Sequence, residues 1–150
     1  MIVSPSPVLR HQLIVRNLTI LLTGAQSETT AVVPSPWDWR YNSGDVVIPD
    51  LTVVRRQDLD PEGPLREPAV PRLVVEVLSP SNRGFDLAFK RDLYERLGVP
   101  AYWIADPDGP KLTALRMASG TYETEFEGGG GYSTDWPFPV SFDVDALAKA

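Results

Sequence analysis

The sequence predicts one α/β domain, a mixed sheet flanked by helices, and three observations carry that prediction. Helix-like and strand-like segments alternate along 150 residues, a length that suits one domain with one real core. The run Leu73 to Leu78 is nearly continuous in apolar residues, as a strand covered on both faces should be. Near the C-terminal end, Lys111 to Met117 and Thr121 to Glu127 meet around Ser119-Gly120, which predicts an antiparallel hairpin.

Val8 to Leu22 places Leu9, Leu13, Val15, Leu18, Leu21 and Leu22 at mostly three- and four-residue intervals, with Arg10, Gln12, Arg16 and Asn17 largely opposite. That period predicts an amphipathic helix starting after Ser6-Pro7 and ending at Gly24. Thr29 to Val33 is rich in β-branched residues and leads into Trp37-Asp38-Trp39-Arg40-Tyr41. The aromatic-polar alternation there predicts a strand with two distinct faces, bent or at an edge because Pro34 and Pro36 interrupt it. Asn42-Ser43-Gly44 is a turn, and Asp45 to Arg56 reads as a second strand. Gln57 to Pro68, rich in Pro, Asp and Glu, is expected to be an exposed, mobile loop.

After the central run, Ser79 to Gly84 is a polar loop. Asp86 to Leu97 is a second helix, with Leu87, Phe89, Leu93, Tyr94 and Leu97 as its buried stripe and Gly98 at its end. Ala101 to Ala105 is a further strand, closed by the turn Asp106-Pro107-Asp108-Gly109. Gly128 to Gly131 reads as a flexible glycine run, and Trp136 to Leu147 as a strand and short helix that pack back on the core.

Composition narrows the function without supplying it. The net charge of −6 and pI near 4.7 weigh against a protein that holds nucleic acid through a broad basic face. They leave room for a metal-dependent enzyme acting on phosphodiesters, because a bound cation offsets acidic ligands. With no cysteine, neither a disulfide framework nor a thiolate zinc site is possible. No apolar run approaches the roughly 18 residues of a membrane span. Met1 to Pro7 lacks a basic segment followed by an apolar one, so a cytoplasmic protein is expected.

Glu76 stands out. A lone buried carboxylate costs several kcal/mol unless it is paired, protonated or metal-bound, yet Glu76 sits inside the most apolar run. On pattern alone it could equally lie near a strand end facing a basic residue or water. Asp50 follows Pro49, and by itself would mark a Pro-Asp kink. Were two neighbouring strands to bring these acids to one sheet end, they would form a hard oxygen site suited to magnesium. Lys90 lies four residues after Asp86, so a plain surface ion pair is one reading. Its functional reading needs the helix to lean over the sheet end that carries Glu76.

Taken in order, these motifs resemble a known family. Pro49-Asp50, then Val75-Glu76-Val77-Leu78-Ser79-Pro80-Ser81, then Asp86-Leu87-Ala88-Phe89-Lys90-Arg91, then Tyr94, Gly98-Val99-Pro100-Ala101-Tyr102-Trp103-Ile104 and Asp106-Pro107 resemble the Uma-two family of restriction endonucleases. That family sits within the PD-(D/E)XK nuclease superfamily. The resemblance runs from about Ile2 to Leu147, with His11 leading the first helix. It implies a restriction-endonuclease-like mixed sheet and a catalytic set of Asp50, Glu76 and Lys90. It also implies magnesium, or manganese, held by Asp50, Glu76 and the Val77 carbonyl, with DNA as the substrate. The common superfamily pattern has a lysine two residues after the motif acid. Here that position is Leu78, and Lys90 is the substitute. His11 is expected mainly to pack or cap its helix.

Ser79, Ser81, Arg83 and Arg91 could contact phosphate, although loop capping and surface pairing suit them at least as well. The segment that usually precedes the first helix in that family is expected to be missing. That keeps open a nuclease-fold protein that no longer cuts and instead binds DNA or a protein partner. A third reading is an interaction module that docks through the exposed hairpin Lys111 to Glu127. A homodimer is compatible with each, with Trp136 to Phe142 serving as interface or as core.

Overall fold

The computed structural model describes residues 5–79 and 84–150. Helix α1 spans Pro5–Ala25, and its prolines fall in the first turn, where backbone N–H groups have no partner inside the helix. Ile14, Leu18 and Leu22 are buried one turn apart. Leu9, expected in the buried stripe, is 58% exposed. The α1 face that packs therefore runs through Leu18 and Leu22, which the leucine spacing includes, and Ile14, which it passes over.

The strands follow as β1 (Thr30–Pro34), β2 (Trp39–Asn42), β3 (Asp45–Val47), β4 (Leu51–Arg55), β5 (Leu65–Arg66) and β6 (Leu73–Val77). Helix α2 (Phe85–Arg96) leads to β7 (Ala101–Asp106), β8 (Lys111–Ala118), β9 (Thr121–Gly128), β10 (Gly131–Thr134) and β11 (Val140–Asp143). Six of them form one sheet in the order β1-β4-β6-β7-β8-β9. Only β6 and β7 run parallel there, with α2 between them in the chain. The remaining neighbours are antiparallel. This is the mixed sheet the sequence predicts. A second, small sheet, β3-β2-β5, packs Trp39 and Leu65 into the core on one face of it, and the C-terminal hairpin β10-β11 makes a third.

β6 is buried at every position, and side-chain alternation divides it between two cores. Leu73, Val75 and Val77 pack with α1, Trp103 and the C-terminal hairpin. Val74 and Leu78 pack on the other face with Trp39, Leu93, Tyr94 and Tyr102. Glu76 shares the parity of that second face. The tail takes its place as core: Phe138 and Val140 are buried, and Trp136 and Phe142 pack against the α1-side cluster. Trp103 is 1% exposed, with its ring 5.6 Å from that of Tyr132 and 5.8 Å from that of Phe142. Trp103→Ala should therefore cost about 3–5 kcal/mol, read as a lower urea midpoint; a loss below ~1 kcal/mol would mean that the hairpin does not depend on that ring.

Several expectations are corrected. Asp45 to Arg56 is two strands in different sheets, because the chain breaks at Ile48, Pro49 and Asp50. Thr29 to Tyr41 is likewise split between β1 and β2. The loop Gln57 to Pro68 contains β5, where Leu65 is fully buried, so a hydrophobic anchor crosses what reads as a polar stretch. Gly128 and Gly131 close β9 and open β10. Phe89 is 48% exposed and does not join the buried stripe of α2.

Candidate metal centre

Asp50 owes its position to the break before β4. Pro49 has no N–H for a ladder bond, and the chain bends at Asp50. The bend is anchored, since the Ser35 N–H donates to the Asp50 carbonyl at 3.0 Å. β4 and β6 pair Leu51 with Val75 and Thr52 with Val74, and one further step of that register sets Asp50 opposite Glu76. The Asp50 side chain also ties the strands together: the Val77 N–H donates to Oδ2 at 2.7 Å, a charge-assisted bond.

Glu76 is 3% exposed. Its Oε2 accepts from the Tyr94 hydroxyl at 2.6 Å and lies 3.2 Å from the Lys90 ammonium. Lys90 and Tyr94 are four residues apart on α2, so one helix face supplies both donors. Lys90 also lies 3.7 Å from Asp86; the surface pair exists, and Glu76 is the shorter contact. Burial pushes the Glu76 carboxyl up to about 7, with the Asp50 charge adding to the rise and Lys90 and Tyr94 opposing it. Burial works against the Lys90 ammonium, but Glu76 outweighs it and holds its pKa above the usual lysine value. The Tyr94 phenol is raised by burial and by the neighbouring Glu76 charge, so it stays protonated as the donor.

His11 completes the arrangement from α1. Its Nε2 lies 3.5 Å from Asp50 Oδ2 and its Nδ1 is 3.1 Å from Gln12 Oε1, with a further contact to the Val77 backbone. The hydrogen bond with Asp50 raises the His11 pKa, against burial.

The structure thus brings together Asp50, Glu76, Lys90 and the Val77 backbone. It adds two residues that sequence reading gave other roles. His11, expected to pack or cap, reaches Asp50. The signal lay in its spacing: His11, Ile14, Leu18 and Leu22 fall at three- and four-residue steps, so His11 continues the inward stripe by one turn. Tyr94, expected in the apolar stripe of α2 and matched in the family resemblance without a role, bonds Glu76, and its signal is the four-residue step from Lys90. Arg91 is exposed on α2 and Ser79 is half-buried, while Ser81 and Arg83 lie outside the described residues.

The donor set fits a hard divalent cation. Among the described residues, Asp50 and Glu76 each make their contacts through one oxygen, Oδ2 and Oε2. Each carboxylate therefore has a second oxygen to offer, and the Val77 backbone adjoins them. Among the described residues, no three His, Cys, Asp or Glu side chains converge into a cage. Two neighbouring acids suit magnesium, which takes few protein ligands and keeps several waters.

A family model described as Uma2, "Putative restriction endonuclease", matches residues 1–141. The chain belongs to the Uma2 family. Its fold is shared by a solved structure described as a "putative nuclease belonging to DUF820 from Anabaena variabilis ATCC 29413", with a TM-score of 0.70. The match covers 93% of this chain and 80% of that one at 16% identity, so for this Uma2 protein it shows the architecture alone. No curated protein is a significant match by sequence. Among its described residues, no helix is long and apolar enough to cross a membrane.

Proposed function

We propose that this Uma2 protein is a magnesium-dependent nuclease that hydrolyses DNA phosphodiester bonds, with manganese able to replace magnesium. The observation that carries this reading is the convergence of Asp50, Glu76, Lys90 and the Val77 backbone from three separate elements at one sheet end. Asp50, Glu76 and the Val77 carbonyl would hold the cation. When bound, the cation supplies Lewis acidity toward the phosphate and lowers the pKa of a coordinated water.

The protein's own groups do the rest. Lys90 carries a positive charge beside Glu76 and is placed to orient the attacking water or to offset charge growing on the phosphate. The Val77 N–H and His11 hold the Asp50 carboxylate from two sides. The net charge of −6 favours a second reading, a nuclease fold that binds without cutting.

One experiment separates the two. Supercoiled plasmid is incubated with the protein in magnesium, manganese or chelator, and manganese binding is followed by calorimetry. Nicking or linearisation with either cation but not with chelator, together with saturable binding, is expected. Absence of both cutting and ion binding would defeat the nuclease reading.

A further inference from the structure

We propose that Tyr94 is a positioning residue for Glu76, its hydroxyl fixing the carboxylate by Oε2 and reserving Oε1 for a cation. The inference rests on the metal-dependent reading above. The Tyr94 side chain is fully buried, where phenylalanine would fill the same space. A buried hydroxyl is unfavourable unless it is bonded, and this one has a single short bond, 2.6 Å to Glu76.

The ring that carries it is held on two sides. It stacks on Trp39 with centroids 6.1 Å apart and planes 15° apart, and meets Tyr102 edge-on at 5.0 Å and 73°. The hydroxyl cannot leave Glu76 unless these rings repack. Lys90, the other donor to Oε2, differs on each count. It is half-buried, has a flexible stem, and has Asp86 at 3.7 Å as an alternative partner. Tyr94 is therefore the stationary half of the grip. Lys90 is the half that can turn toward a phosphate without releasing the acid.

The same aromatic cluster contains its own control. The Tyr102 hydroxyl is also buried, and among the described residues it has no hydrogen-bond partner. Tyr94→Phe and Tyr102→Phe each delete one buried phenolic oxygen, but only the first touches Glu76.

The test measures manganese affinity of the folded full chain by calorimetry or electron paramagnetic resonance, with thermal melts in chelator alongside. Groups that orient a metal ligand are worth roughly 10–100-fold in affinity, so Tyr94→Phe should weaken manganese binding by about tenfold or more while Tyr102→Phe leaves it unchanged. A purely structural hydroxyl would lower the melting temperature and leave the affinity of the folded protein alone, which would overturn the proposal. Equal weakening in both variants would overturn it too, because the aromatic cluster and not the Glu76 bond would then be responsible. A Tyr94→Phe chain that fails to fold would make the hydroxyl a structural anchor, with the same consequence. A wild-type chain that binds no manganese is a different failure, that of the metal-dependent reading itself.

Discussion

Asp50→Asn or Glu76→Gln should reduce magnesium-dependent cleavage to the level of a chelated control while the protein remains folded. Both substitutions remove a negative charge where a hard cation needs one, and neither changes the side-chain shape. The amide of Asp50→Asn keeps an oxygen for the Val77 N–H, which Asp50 now accepts at 2.7 Å. The amide of Glu76→Gln keeps an oxygen for the Tyr94 hydroxyl, now 2.6 Å from Glu76. Alanine at either position also removes cleavage but adds a structural loss. In place of Asp50 it strips the acceptor from a part-buried amide, and in place of Glu76 it orphans a buried phenol, each a loss of about 1–3 kcal/mol. Comparing isostere with alanine in a plasmid assay, with circular dichroism melts in parallel, separates chemistry from folding. An isostere that cuts as fast as wild type removes that acid from the centre.

The sheet could be read from the sequence because its determinants are local. The apolar run of β6 and the turn at Ser119-Gly120 between β8 and β9 do not depend on distant partners. Where reading failed, the missing information was tertiary. Asp45 to Arg56 looks like one strand because nothing in the sequence says that Val47 pairs with Trp39 while Leu51 pairs with Val75; Pro49 marks the break but not the change of sheet. Leu65 is a lone anchor in a polar stretch, without the repetition that periodicity needs.

The candidate centre shows the same division. Glu76 was legible because a charge inside an apolar run is locally costly. Asp50 gained its meaning only from the neighbouring strand. His11 lies 39 positions before Asp50, and only the packing of α1 across the sheet end brings the two together. Family resemblance supplied Lys90, which propensity alone would leave as the partner of Asp86.

The acid that makes the centre also sets how the metal-free protein responds to pH. The Glu76 carboxyl rises from 4.5 to about 7 on folding, chiefly through burial. Between those values the folded chain holds a proton that the unfolded chain has released, so stability falls as pH rises through that window and levels off above it. At about 1.4 kcal/mol per unit, the shift of 4.5 to about 7 amounts to roughly 3 kcal/mol, or on the order of 10 °C in melting temperature for a chain of this size. His11 is also raised, by its bond to Asp50, and adds loss in the same direction near neutrality. The raised Lys90 titrates above 10.5, outside the window. In chelator, the wild-type melting temperature should therefore drop between pH 5 and 8, and Glu76→Gln should remove most of that drop and leave the His11 share. Magnesium at pH 8 should restore the wild type, because binding draws on the ionised acid that burial disfavours, and should do little for Glu76→Gln. A wild-type melt that is flat across this range in chelator would mean that Glu76 is solvated in the free protein, and burial would not be what sets its proton affinity.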